Sequence, residues 1–249
     1  MFAEHGHKVK FVSLTNGDCG HYEQSGDELV QRRIQEAQEA AKHLGVLEYE
    51  VLDTPDGELV PDVATKKEVI RQIRRWEADI VISFHPDGGA HSDNRYAGKL
   101  VHDASAFIAN TPNMVPEVPA LRESPLFLLM PDYSMNPHYT PDIVIDTGSV
   151  IEKKLRSFAA HASQFYEFAP WQGGFLDEVP FEWEEQREFL LKNWAEFIYA
   201  SDDMRPTLER LYGKEHAAGV TFAEPFEIAS YGRRPSDEEL KNWFPWLNK

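Results

Sequence analysis

The eleven residues His85-Pro86-Asp87-Gly88-Gly89-Ala90-His91-Ser92-Asp93-Asn94-Arg95 hold the densest chemistry of the chain. Two imidazoles, two carboxylates and an amide flank a paired glycine, between an apolar run ending at Phe84 and an amphipathic stretch. In α/β proteins that is where functional groups collect. A turn needs glycine, asparagine or aspartate, but it does not need histidine. Neutral imidazole and carboxylate are ligands for zinc and similar divalent ions. Beside such an ion a histidine can act as general acid or electrostatic stabiliser, while a carboxylate takes a proton from bound water. Hydrolysis of an amide or ester fits these groups. The six-residue separation of His85 and His91 is not in itself a ligand spacing. A rearranged site using His85, Asp87 and His91 is one arrangement these residues allow. No Gly-x-Ser-x-Gly elbow, Gly-x-Gly-x-x-Gly turn or P-loop is present, which argues against a serine hydrolase and against nucleotide binding.

Alternating strands and helices must position this segment. Strands are expected at 8–14, 49–52, 79–84, 126–130 and 143–145. A helix capped by Ser25 and Glu28 should bury Val30, Ile34, Ala37, Ala41 and Leu44 and stop at Gly45. Further helices are expected over 65–77 and 94–108, and one capped by Ser149 and Glu152 should run through Phe165. Met1–His7 reads as a helix tail closed by Gly6. The pattern predicts an α/β fold, a mostly parallel Rossmann-like sheet with helices on both faces, over residues 1–166. From about 167 the composition turns aromatic and acidic without a clear strand. Helices near 181–200, 203–212 and 236–243 are expected to form a helical extension over 167–249.

Ligands bind beyond the carboxyl ends of strands in open α/β sheets. Here those ends carry Thr15-Asn16-Gly17-Asp18-Cys19-Gly20-His21, Asp53-Thr54-Pro55-Asp56-Gly57, the His85–Arg95 segment and Pro131-Asp132-Tyr133. Turn chemistry alone explains Asp53, Asp56 and Asp132. Asn16, Asp18 and His85 are candidate substrate contacts.

At 249 residues and 42% hydrophobic content the chain can bury a full core. A net charge of −17 repels a phosphate backbone and excludes nucleic acid as a partner. The single Cys19 permits no internal disulfide and no thiolate pair for zinc. No stretch approaches the roughly 20 apolar residues of a membrane helix, and residues 1–7 lack the core of a signal peptide. The chain as given reads as cytoplasmic. A homo-oligomer stays open, as does export through a signal preceding residue 1.

Several motifs in order identify a relative. Val12–Asp18, Arg33-x-x-Glu36-Ala37 with Leu44-Gly45-Val46, His91–Arg95, His161-x-Ser163-Gln164, Val101–Pro116 and Ala229–Pro235 resemble the PIG-L/LmbE-like family of zinc-dependent de-N-acetylases. The resemblance implies removal of an N-acetyl group from an amino-sugar conjugate, with a metal-bound water as nucleophile and an aspartate as base. It implies that His91 steadies the oxyanion or protonates the leaving amine, and that Asp93 orients His91. Arg33 matches a substrate-contacting arginine, although a helix charge pairing with Glu36 reads equally well. His161 matches a position near the cleft, or equally a satisfied core histidine between Phe158 and Phe165.

Two departures stand out. The family's Ala-His-Pro-Asp-Asp motif is absent, and its strand and helix would amount to roughly 30 residues before residue 1. Asn94 occupies the position of the third metal ligand, where an amide oxygen suits hard ions better than zinc. Zinc, or another divalent metal, is therefore expected to bind weakly or not at all. A longer form carrying the motif, a catalytically inactive sugar-binding relative, and the rearranged site each account for this. The first is favoured, because loss of a central strand exposes paired backbone groups.

Overall fold

The computed structural model describes residues 1–132 and 139–248, so Tyr133 of the fourth strand-end loop lies outside them. In chain order the main elements are β1 (Lys10–Thr15), α1 (Gly26–Leu44), β2 (Glu48–Thr54), α2 (Val63–Trp76), β3 (Ile80–Phe84), α3 (Ser92–Ser105), β4 (Leu126–Met130), β5 (Ile143–Asp146), α4 (Ile151–Ala160) and β6 (Ala223–Ile228). The α/β alternation and the parallel pairs β1–β2 and β3–β4 match the expectation. The strands divide between two sheets, one of β1 and β2 and one ordered β3-β4-β6-β5.

β6 corrects the expectation that no strand follows residue 167. Its sequence, Ala223-Glu224-Pro225-Phe226-Glu227-Ile228, places a proline and two carboxylates in six residues, which masks strand character. Pairing partners override that local signal. β6 runs antiparallel to both neighbours, with Leu128 opposite Ile228 and Val144 opposite Pro225.

The chain forms two compact units that interleave along the sequence. The first comprises Met1–Glu58 and Thr147–Tyr199, the second Leu59–Asp146 and Ala200–Lys249.

In the first unit α1 packs on α4 and on β2. Its buried face is Leu29, Arg33, Glu36, Ala37, Ala40 and Ala41, so the stripe is rotated from the expected one and takes in two charged residues. The expected capping boxes do not form. Ser25 makes no side-chain cap, and Glu28 instead accepts from Gln24 Nε2 at 3.3 Å. Glu152 is drawn to Arg187 Nε at 2.7 Å, while Val150 holds the cap position. The expected continuous helix to Phe165 is also interrupted. His161 takes φ −86° and ψ 57°, which ends α4, and Ser163–Phe168 continues as a π-helix. Such helices are uncommon and concentrate at functional sites.

In the second unit the core gathers Leu100, Ala104, Ile108, Leu126, Leu128 and Ile143. α3 lies hard against the end of β3. A Cβ at Gly98 would stand 2.4 Å from the Phe84 carbonyl oxygen, so only glycine allows this approach. Arg74 of α2 is almost wholly buried and donates to the carbonyls of Phe107, Ile108, Thr111, Val115 and Val118, which staples that long loop. Burial pushes its guanidinium pKa down, and these acceptors offset the desolvation.

Candidate functional site

In the first unit, the loop after β1 is held by its own polar residues. Asn16 Oδ1 accepts from the Asp18 N–H at 3.1 Å, and Asp18 Oδ1 accepts from the Asp56 N–H at 2.8 Å, joining this loop to the one after β2. Arg33 Nη1 donates to the Gly17 carbonyl at 2.6 Å, and Nη2 donates to that of Gly20. Asp56 Oδ2 is 3.8 Å from Nη1. Arg33 is buried, which lowers its pKa against the opposing pull of Asp56 and Glu36, and its Nε has no partner among the described residues. With its amide carbonyl turned inward, Gln164 accepts from Nη1 at 3.2 Å and from Nη2 at 2.5 Å.

These groups wall a cavity of about 180 Å³ that is also lined by Asn16, Asp56, Tyr49 and His161. The Tyr49 and His161 rings meet edge to face at 6.4 Å. Burial raises the Tyr49 phenol pKa and lowers that of the His161 imidazole, so both are held neutral near pH 7. The π-helix carrying Gln164 is fixed by Glu36, which accepts from Ser163 N at 2.9 Å, from Ser163 Oγ at 2.6 Å and from Arg32 Nε at 3.1 Å. Of the residues expected to contact substrate, Asn16, Arg33 and His161 line this cavity. Asp18 holds the Asp56 N–H through Oδ1. The sequence carries no local signal for these roles of Tyr49 and Glu36, since strand periodicity accounts for one and helix charge for the other.

In the second unit, the loop after β3 presents its groups differently. His85 donates its backbone N–H to the Met130 carbonyl at 3.0 Å, and its Nδ1 accepts from the Asp87 N–H at 3.1 Å. Its Nε2 lies 3.4 Å from Glu227 Oε2. Glu227 belongs to β6, so the same proline-bearing pattern that concealed the strand concealed this partner. Gly89, at φ +86°, carries the Asp132 carboxylate where a Cβ would sit, 2.1 Å away. Arg95 Nη1 donates to the carbonyls of Gly89 at 2.7 Å and Ala90 at 2.9 Å, which closes the turn.

His91 is exposed and caps α3, its Nδ1 accepting from the Asp93 N–H at 3.3 Å. That bond assigns the neutral ring the Nε2–H tautomer and makes Nε2 its donor. Asp93 is 6% exposed, and Ser92 Oγ donates to its Oδ1 at 3.4 Å. Besides this backbone bond, a His91 ring nitrogen and an Asp93 carboxylate oxygen lie within 4.8 Å of one another.

Asn94 does not fit zinc. Its Nδ2 donates to Asp132 Oδ2 at 3.0 Å, so the amide is oriented by a carboxylate and offers at best a hard oxygen donor.

Residues 1–105 match the family model described as PIG-L: GlcNAc-PI de-N-acetylase. The diacetylchitobiose deacetylase of Thermococcus kodakarensis is 34% identical over 171 residues, covering 65% of this chain. The match spans 61% of that relative's own length. Among solved structures, the N,N'-diacetylchitobiose deacetylase of Pyrococcus horikoshii superposes with a TM-score of 0.65 at 24% identity, over 92% of this chain and 75% of that one. GalB, the 4-carboxy-2-hydroxymuconate hydratase of Pseudomonas putida KT2440, reaches 0.60 at 20% identity, over 94% and 89%. One fold thus carries a deacetylase and a hydratase, and fold likeness alone does not choose a reaction.

Proposed function

We propose that the chain, whose residues 1–105 match the PIG-L family model, acts on N-acetylated amino-sugar conjugates, hydrolysing the acetamide to acetate and a free amine. The observation that carries the reading is His91 as helix cap: with Nδ1 accepting from the Asp93 N–H, the neutral ring carries its proton on Nε2. A donor fixed by its own cap can bond the amide oxygen as negative charge develops there, or pass a proton to the departing nitrogen. The similarity to a diacetylchitobiose deacetylase over 171 residues supports the substrate class. The cavity of about 180 Å³, lined by the Arg33 and Asp56 side chains, the Asn16 amide and the neutral Tyr49 and His161 rings, suits one sugar ring. No step is assigned to zinc, because Asn94 is committed to Asp132.

That same Asn94–Asp132 bond favours a second reading, a relative that binds the sugar without cleaving it. Acetate and amine should be quantified after incubation with N-acetylglucosamine and N,N'-diacetylchitobiose, with binding followed in parallel. One acetate per amine supports hydrolysis, whereas sugar binding without acetate release assigns the chain to the second reading.

A further inference from the structure

Both segments that wall the cavity of the first unit continue directly into a stack of aromatic rings. The loop that contributes Asn16 runs on through Gly20 to His21 and Tyr22, and the π-helix that contributes Gln164 runs on to Phe168 and Trp171. The His21 and Tyr22 rings lie 4.6 Å apart at 19°, Tyr22 and Trp171 5.3 Å apart at 12°, and Phe168 and Trp171 6.2 Å apart at 18°. Trp171 is nevertheless 49% exposed. A large aromatic left in solvent on a rigid support marks a contact surface more often than a packing residue.

The support is well built. His21 Nδ1 accepts from the N–H groups of Glu23 and Gln24, both at 3.1 Å, so Nε2 carries the proton it shares with Glu167 Oε2 at 2.8 Å. Arg32 pairs with the same Glu167 carboxylate, and its Nη1 also donates to Gln24 Oε1 at 2.8 Å. The result is a ladder of near-parallel rings with Trp171 exposed, set beside a carboxylate, a guanidinium and an amide. A pyranose ring has matching features, with C–H groups on one face and hydroxyls around its edge.

We propose that the Tyr22–Trp171 stack is a subsite for a second sugar ring, glycosidically joined to the ring held at the cavity. This rests on the reading of the chain as a protein for N-acetylated sugar conjugates. It makes Trp171 and Tyr22 determinants of chain length, with Arg32 and Glu167 fixing the stack and meeting ring hydroxyls.

The test compares affinities for N-acetylglucosamine and N,N'-diacetylchitobiose by calorimetry, in the wild type, Trp171→Ala and Trp171→Phe, with thermal melts as the check on folding. The wild type should bind the disaccharide about ten-fold more tightly, the gain one stacked ring supplies. Trp171→Ala should bring that ratio to about one, and Trp171→Phe should keep most of it. A ratio near one in the wild type, or equal weakening of both sugars in Trp171→Ala, overturns the proposal. So does tighter binding of a phenyl glycoside than of the disaccharide, which would assign the stack to an aromatic aglycone. Acetate release is outside this readout. A ratio that holds in a chain releasing no acetate keeps the subsite and removes hydrolysis; failure of either sugar to bind removes both.

Discussion

The loops that leave β1 and β3 use the same residue types and spend them differently. After β1, Asn16, Asp18 and Arg33 turn inward onto backbone groups of their own unit, and the outcome is a shaped cavity. After β3, Arg95 and Gly89 fix the turn while His91 stays exposed and caps α3 through Nδ1. Polar residues at a strand end can therefore be scaffold or chemistry, and the neighbours that satisfy their hydrogen bonds decide which.

Four measurements test that contrast. Gly98→Val drives a side chain into the Phe84 carbonyl and should cost about 3 kcal/mol or more, read as a loss of denaturant midpoint. An unchanged midpoint would mean that α3 does not need its close seat on β3. Glu36→Ala strips a buried acceptor from three donors, and a loss of about 2 kcal/mol is expected in the same experiment. Were Glu36 an ordinary solvated helix charge, the loss would stay within about 0.5 kcal/mol.

The pH dependence has a definite sign. Burial lowers the His161 pKa in the folded state, so the unfolded chain takes up a proton more readily. The stability contributed by neutral His161 is whole above its ordinary value near 6.5 and declines as pH falls below it. His161→Gln should flatten melting temperature against pH in that window; a slope equal to the wild type's would assign it elsewhere. The smallest effect concerns metal. Asn94→His replaces an amide locked to Asp132 with a zinc-compatible donor and should raise zinc affinity about ten-fold by calorimetry. An unchanged affinity would show that this position does not limit zinc binding.

Much of the fold is legible in the amino-acid sequence. The alternation of strands and helices, the strand-end location of residues 85–95 and the family resemblance all follow from local pattern. The partners do not. Glu227 reaches His85 from a strand whose proline and carboxylates hide it, and Glu36 holds Ser163 across 127 positions of sequence. The capping signals at Ser25 and Ser149 fail because Gln24 and Arg187 compete for the glutamates those motifs require. Local spacing records which groups are available, and only tertiary packing decides whom they meet.

The proposed division between a recognising loop and a reacting loop is tested most directly by His91→Asn. Asparagine keeps an oxygen able to cap α3 and removes the imidazole donor. Disaccharide affinity and acetate-release rate should be measured together on this variant and the wild type. The expected result is affinity within about two-fold of wild type, with acetate release slowed by about 100-fold or more. Acetate release at the wild-type rate, or affinity and rate falling in parallel, would contradict the assignment of the chemistry to His91.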